Sequence, residues 1–330
     1  MKKKGFTLIE LLAVIVILAI IALIAVPVIM DIISSAKKSA FEDTAYGLIS
    51  AGEMYYAQAL LNDGMTEDVT FTFSEEGVSP SGLSVKGNIP TEGSMKITTD
   101  GKVSLAISNG ETCITKGYED SKIDPEGDVE NCVLPPEPGT LAYLARINDF
   151  ATEVHACAAI GTTCAPGTEF AIEVAPGDIK NFYVVSDVNN KVTLIMDRNI
   201  GDDVAWNASG NITDGPITAL NYLESQTSSW TNIPAKIYTL MDDGGSNSYT
   251  MERTNARTRM LTKTEANAII GYGWVYGNLN FINPPHGYWT SSVSTTFANA
   301  AWYVFCTGNV NDDGTIGAGL GVRPVIELSK

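Results

Sequence analysis

Hydrophobic and polar residues follow three different rhythms along this chain. Residues 11–30 form a run of twenty without a charge. Wound as a helix at about 1.5 Å per residue, such a run reaches about 30 Å, the thickness of a bilayer core. Beyond Met30 the pattern turns amphipathic, with Ile33, Ala36, Ala40, Ala45, Leu48, Gly52, Tyr55 and Ala59 recurring close to a helical period. Asn62-Asp63-Gly64 then supplies a stop. The pattern predicts one long helix over residues 6–61, apolar all round at first and one-sided afterwards.

The second rhythm covers residues 65–133. Short β-like runs at 69–73, 96–99 and 103–107 alternate with Gly, Ser and Pro turns, and Asp100-Gly101 carries a hairpin signature. A small antiparallel sheet laid against the one-sided half of the helix is expected. Leu134-Pro135-Pro136-Glu137-Pro138-Gly139 reads as a stiff linker, and residues 134–164 as a linker region. The third rhythm occupies residues 165–330. Runs at 182–185 and 192–196 suggest paired strands around Asn189-Asn190, and 217–223 and 263–270 suggest short helices, the latter capped by Thr262 or Thr264. The end of the chain is rich in Trp and Gly. The fold class is α+β: a long helix, a small β head, then a further α+β domain.

Charge sharpens this division. Residues 1–40 hold five lysines against Glu10 and Asp31, while the whole chain carries −17, so the remainder is strongly acidic. Lys2, Lys3 and Lys4 place the leading end in the cytoplasm and the head across the membrane. An acidic head repels phosphate backbones, so no nucleic-acid partner is expected. The five cysteines (113, 132, 157, 164 and 306) form no C-x-x-C pair, and His155 and His286 stand alone, so no zinc site, metal or cofactor is expected. Cys113/Cys132 and Cys157/Cys164 are near enough in sequence for each pair to close a loop, leaving Cys306; five ordinary thiols is the alternative. Asn309-x-Asn311-x-Asp313-Gly314 departs from a calcium loop, with Leu320 where the bidentate Glu belongs, and predicts a plain turn.

Glu10 and Pro27 are flaws in a simple membrane anchor. An ionised carboxylate at the lipid-buried end of a helix is costly, and a proline removes a helix hydrogen bond. An ordinary signal peptide carries no such acid and ends in an A-x-A-like site, which is absent. Gly5-Phe6-Thr7-Leu8-Ile9-Glu10-Leu11-Leu12 closely resembles the processing site of class III signal sequences in type IV prepilins and pseudopilins. The resemblance implies that a prepilin peptidase removes residues 1–5 as a leader and that Phe6 becomes N-methylated. It also implies that Glu10 pairs with the Phe6 amine of a neighbouring pilin subunit, and that Pro27 is the helix-loosening proline of such proteins. Residues 6–64 would form the pilin helix, membrane-spanning over about 8–30. The precursor would sit once across the cytoplasmic membrane, N-terminus inside, and end in a fibre at the cell surface.

The C-terminal region resembles the C-type-lectin-like fold, as used by formylglycine-generating-enzyme relatives and bacterial surface modules. Residues 257–266 look like a diverged form of their Arg-Leu-Pro-Thr-x-x-Glu helix opening, without the proline. Tyr288-Trp289-Thr290-Ser291-Ser292 and Gly321-Val322-Arg323-Pro324-Val325 resemble their closing strands. In such folds Trp289 and Trp302 are core residues. Formylglycine generation needs a reactive cysteine pair in the closing region, where only Cys306 lies, so no enzyme is expected. Residues 303–321 contain no Lys, Glu, Gln, Met or Trp, the residues that adenine-randomised AAY codons cannot encode, and related modules are diversified by retroelements in that way. An ordinary Gly/Asn-rich surface loop reads equally well. Either way Tyr303, Phe305, Asn309, Asn311, Asp312, Asp313, Thr315, Ile316 and Leu320 are the expected ligand-facing residues. The expected function is a minor or tip-type pilin displaying a lectin-like adhesive domain toward a ligand that stays open. The alternatives are a pseudopilin of a secretion or DNA-uptake machine and, more remotely, an anchored formylglycine-generating-like enzyme.

Overall fold

A computed structural model describes residues 7–62, 64–85, 89–245, 248–317 and 319–330. The chain forms two compact units, Met1–Pro136 and Glu137–Lys330.

The first unit opens with α1 (Leu8–Asn62), 55 residues long and therefore about 80 Å from end to end. The helix assignment continues through Pro27. Gly64, at φ +80, donates its N–H to Ala59 O at 2.9 Å and ends the helix in a left-handed conformation that suits a residue without Cβ. Burial changes halfway along: nothing between residues 8 and 40 is buried, whereas Phe41, Ala45, Leu48, Ile49, Ala51 and Gly52 are. The buried stripe thus starts at Phe41. Ile33, Ala36 and Ala40, which continue the same periodicity upstream, are exposed, because the globular part of the unit reaches no further along the helix. A Cβ on Gly52 would stand 3.2 Å from Met95 Sδ and from Val103 Cγ1, so this glycine lets the helix settle onto the sheet.

That sheet contains β1 (Val69–Ser74), β2 (Gly77–Ser79), β3 (Glu92–Ile97), β4 (Val103–Ser108), β5 (Cys113–Lys116) and β6 (Asp124–Gly127). Its order is β2-β1-β3-β4-β5-β6, antiparallel throughout. Alternate residues Phe71, Phe73, Met95, Ile97, Leu105 and Ile107 form one core with Phe41, Leu48 and Ile49 of the helix. Asp100 and Gly101 turn the β3–β4 hairpin as expected, with Gly101 N–H bonded to Thr98 O at 2.9 Å. A Cys113–Cys132 disulfide ties β5 to the segment beyond β6.

The second unit starts earlier than residue 165. Thr140 caps α2 (Leu141–Leu144), and Leu141, Leu144, Ala158 and Cys164 are all buried in its core. Burial of these side chains outweighs the Pro and Gly content that marks residues 134–164 as a linker, and the Cys157–Cys164 disulfide closes a loop inside the folded unit. The strands β7 (Ala145–Arg146), β8 (Glu169–Ala175), β9 (Asp178–Val188) and β10 (Lys191–Met196) come next, then α3 (Ile217–Gln226). They are followed by β11 (Lys236–Met241), β12 (Thr250–Ala256), α4 (Lys263–Ile269), β13 (Gly287–Val293), β14 (Ala300–Phe305), β15 (Asn309–Gly314) and β16 (Val325–Ser329).

The main sheet has the order β16-β10-β9-β8-β7, while β11–β12 form a hairpin and β13-β14-β15 a three-stranded sheet. Asn189 and Asn190, at φ 54 and 59, make the β9–β10 turn, where two left-handed residues match the twist of the strands. Phe170, Phe182, Leu194, Trp230 and Ile326 fill one core. A second core surrounds Trp206, Leu220, Leu223 and Trp289. Its two indoles are held by carbonyls, Trp206 Nε1 on Thr290 O and Trp289 Nε1 on Val204 O, both at 2.8 Å. Trp302 departs from the core role: it is half-buried, and the Lys263 ammonium lies 3.7 Å from its ring centre.

Candidate functional site

The first candidate region is the free half of α1. Among its apolar side chains Leu11, Ile15, Leu18, Leu23 and Ile29 are each more than half exposed, and no residue in its most apolar 18-residue window is buried. A water-soluble protein does not present such a surface; lipid or neighbouring helices must cover it. Gly5 and Phe6, the predicted processing and methylation residues, lie outside the described residues. Glu10 stands in the first turn, and there it has a partner that the sequence reading passed over. Thr7 N–H donates to Glu10 Oε2 at 2.9 Å, Thr7 Oγ1 donates to the same oxygen at 2.8 Å, and Glu10 N–H points back to Thr7 Oγ1 at 3.4 Å. This is a capping box, and its signal was present as Thr7-x-x-Glu10 ahead of an apolar run.

The second candidate region lies around β13, β14 and β15. Residues 303–321 are not a loop: their first half is a hairpin, with Tyr303 opposite Asn311, Phe305 opposite Asn309 and Ala301 opposite Asp313. The segment read as a plain turn, 309–314, is therefore a strand, and its exposed Asn309, Asn311 and Asp313 alternate along β15. Opposed residues share a face, so Tyr303, Phe305, Asn309, Asn311 and Asp313 lie together. Asp312 is half-buried and accepts a hydrogen bond from Ser294 Oγ. Thr315 is a correction to the expected ligand face, and Leu320 meets it only as a buried floor. Thr315 is fully buried, its N–H on Asn299 O at 2.9 Å and its carbonyl accepting Asn207 N–H at 3.0 Å. Leu320 is 5% exposed and belongs to the Trp206–Trp289 core. Ile316 is exposed.

Beside this face lies a cavity of about 370 Å³ walled by Phe281, Tyr303 and Phe305, with Leu320 and Trp289 beneath and His286 and Asp313 at its edge. Gly287, opposite Phe305 on β13, shapes it: a Cβ there would stand 2.4 Å from Val304 O and 2.9 Å from Leu320 Cδ2. Burial pushes the Tyr303 phenol up, with the Asp313 and Asp312 charges acting in the same direction, so the ring stays neutral. Phe281 and His286 were not anticipated. The available signal was an aromatic residue in an otherwise polar stretch, Asn278-Leu279-Asn280-Phe281-Ile282-Asn283-Pro284-Pro285-His286.

A larger cavity, about 640 Å³, opens beside β11 and α4, and four of its charged residues pair with each other. Arg259 pairs with Glu265 at 2.6 Å and Glu327 at 2.9 Å, and Lys191 also reaches Glu327. Burial opposes the Arg259 charge, yet the two carboxylates outweigh it and keep the guanidinium protonated. Glu265 also completes a capping box with Thr262, the residue expected to open this helix. The cluster fastens α4 to β16. Among the described residues no group of three or more His, Cys, Asp or Glu is arranged to hold a metal ion.

Residues 1–26 match the family model of the prokaryotic N-terminal methylation motif. No curated protein and no solved structure matches the chain. The motif is a type IV pilin-like class III signal; it implies processing by a prepilin peptidase and assembly with other pilins or pseudopilins. The apolar α1 is consistent with a membrane-anchored precursor.

Proposed function

We propose that this chain is a minor or tip-type subunit of a type IV pilus, held in the fibre by α1 and displaying its second unit as a non-enzymatic, lectin-like adhesive domain. The observation that carries the reading is the division of α1. One part is built into the first unit, and the other is uncovered, uncharged from Leu11 to Met30 and headed by Glu10 within a methylation motif. An anchor alone needs no carboxylate there, whereas a helix that leaves the lipid and packs beside copies of itself can use Glu10 to neutralise the Phe6 amine of its neighbour. Two details favour a lectin-like second unit. Thr262 and Glu265 open α4 with a capping box supported by Arg259, and Trp289 in β13 and Arg323 just ahead of β16 are buried. The size of that unit, Glu137–Lys330, favours surface display over the short piston of a pseudopilin.

Glu10→Ala tests the reading. The variant precursor is expected to accumulate in the membrane and to be depleted from sheared surface fibres, as followed by immunoblot. Incorporation at the wild-type level would overturn the proposal.

A further inference from the structure

The aromatic cavity beside β14 has a chemistry that selects one kind of ligand. Phe281 and Phe305 meet at 5.9 Å and 74°, and Tyr303 and Phe305 at 5.9 Å and 84°. Rings set at near right angles turn their faces toward the same space from different sides. Phe281 is 70% exposed, so this box is open to solvent.

The polar atoms at its edge are acceptors. Asp313 is exposed, and its Oδ1 accepts the Gly314 N–H at 2.7 Å. His286 Nδ1 lies 2.9 Å from Asn280 O; a carbonyl only accepts, so Nδ1 carries a hydrogen, and in the Nδ1–H tautomer Nε2 is the acceptor. Among the described residues no lysine or arginine lines the cavity. Between Glu265 and Arg323 the sequence holds two formal charges, Asp312 and Asp313, both negative. The chain also uses the underlying contact within itself, where the Lys263 ammonium sits over Trp302.

Electron-rich ring faces, a carboxylate and a local negative field attract a cation and repel an anion. A primary ammonium could donate to the acceptors at the edge but would turn its remaining strongly hydrated N–H donors toward rings that cannot accept them well. A quaternary ammonium has no such donors to lose. We propose that this cavity binds a quaternary ammonium group of the choline type, boxed by Phe281, Tyr303 and Phe305 and balanced by Asp313. The inference rests on reading the β14–β15 face as the ligand-facing surface of a display module.

The test titrates choline chloride into the full chain in an uncharged polyoxyethylene detergent, followed by calorimetry and tryptophan fluorescence. Saturable binding is expected, weakened about ten-fold by Phe305→Ala and by Asp313→Asn and unchanged by Phe297→Ala, which alters an exposed ring outside the box. The neutral isostere 3,3-dimethylbutanol should bind at least ten-fold more weakly than choline, by the same cation–π magnitude. Retention on phosphocholine-agarose with elution by choline would mark a headgroup or polymer as the source, and binding of free choline alone would mark a soluble one; both support the proposal. Absence of saturation by choline, equal binding of the isostere, or unaltered affinity in Asp313→Asn would overturn it. The assay uses unassembled protein, so it can fail while the Glu10→Ala fibre test succeeds, and the reverse.

Discussion

Replacing Arg323 by Met should weaken the second unit more than any change of surface charge. Arg323 is 2% exposed, and it is held by carbonyls. Nε donates to Met196 O at 2.5 Å, Nη2 to Asp197 O at 2.7 Å, and Nη1 to Val275 O. The guanidinium also lies 5.2 Å from the Tyr288 ring centre. Burial depresses its pKa, while Tyr288 and Asp197 favour the charged form. Methionine keeps an unbranched apolar stem but removes every donor: Met196 O loses its side-chain partner, while Asp197 O keeps Asn278 Nδ2 at 2.5 Å and Val275 O keeps the Tyr288 hydroxyl at 3.3 Å. One orphaned and two weakened carbonyls, offset by no longer burying a charge, give a net loss of about 2 kcal/mol. For a unit of this size that corresponds to a fall in Tm of about 5 °C. All five tryptophans (206, 230, 274, 289 and 302) lie in this unit, so indole fluorescence of the whole chain reports its melting alone. Lys180→Met is the control: it pairs with Asp178 at 2.7 Å with side chains 32% and 40% exposed, and the change should cost less than about 1 kcal/mol. An Arg323→Met variant melting within two degrees of the parent would refute the carbonyl-clamp argument.

Two further outcomes follow from the ionic and covalent ties. Burial alone would raise the Glu327 carboxyl, but Lys191 and Arg259 outweigh it and hold the group below the ordinary carboxylate range. Its ionised form therefore stabilises the unit fully above the unfolded value near about 4.3, and that contribution disappears as pH falls through the lower folded value. Glu327→Gln should flatten the acid arm of the stability profile below about pH 5, and an unchanged arm in urea melts would contradict this. Opening Cys113–Cys132, a separation of 19 residues, should cost the first unit about 3 kcal/mol, against about 2.5 for Cys157–Cys164 with its separation of 7 in the second. Circular dichroism melts of the two Cys→Ser double variants compare them, and a larger loss from the shorter loop would count against the chain-entropy account.

Much of the fold was legible wherever local chemistry and burial agree. The run of apolar residues, the Gly64 stop, the Asp100-Gly101 and Asn189-Asn190 turns and the Thr262 cap each act within a few residues, so their spacing alone predicts them. Legibility failed where burial was decided by distant partners. Ala40 and Phe41 fit a helical stripe almost equally well, and only the reach of the sheet core decides that Phe41 is the one covered. Leu141 and Leu144 stand among prolines and glycines, and nothing local says that β8 awaits them. Thr315 and Leu320 fall in a Gly-rich stretch that resembles a surface loop, yet Asn207, Asn299 and the Trp289 core draw them inward. The aromatic box was half visible: Tyr303 and Phe305 were singled out, but their partner Phe281 comes from more than twenty residues away in sequence.

The Thr7–Glu10 capping box bears on the reversibility of any fibre built from this chain. A carboxylate waiting in lipid with no partner would make the inserted subunit a high-energy intermediate, and assembly would then run downhill with little prospect of return. Here the Glu10 side chain is already satisfied by its own helix end before a neighbour arrives. In the proposed fibre Glu10 would exchange these hydrogen bonds for the amine of a neighbour, and on leaving it would regain them. Such a subunit would not have to cross lipid with a bare carboxylate in either direction.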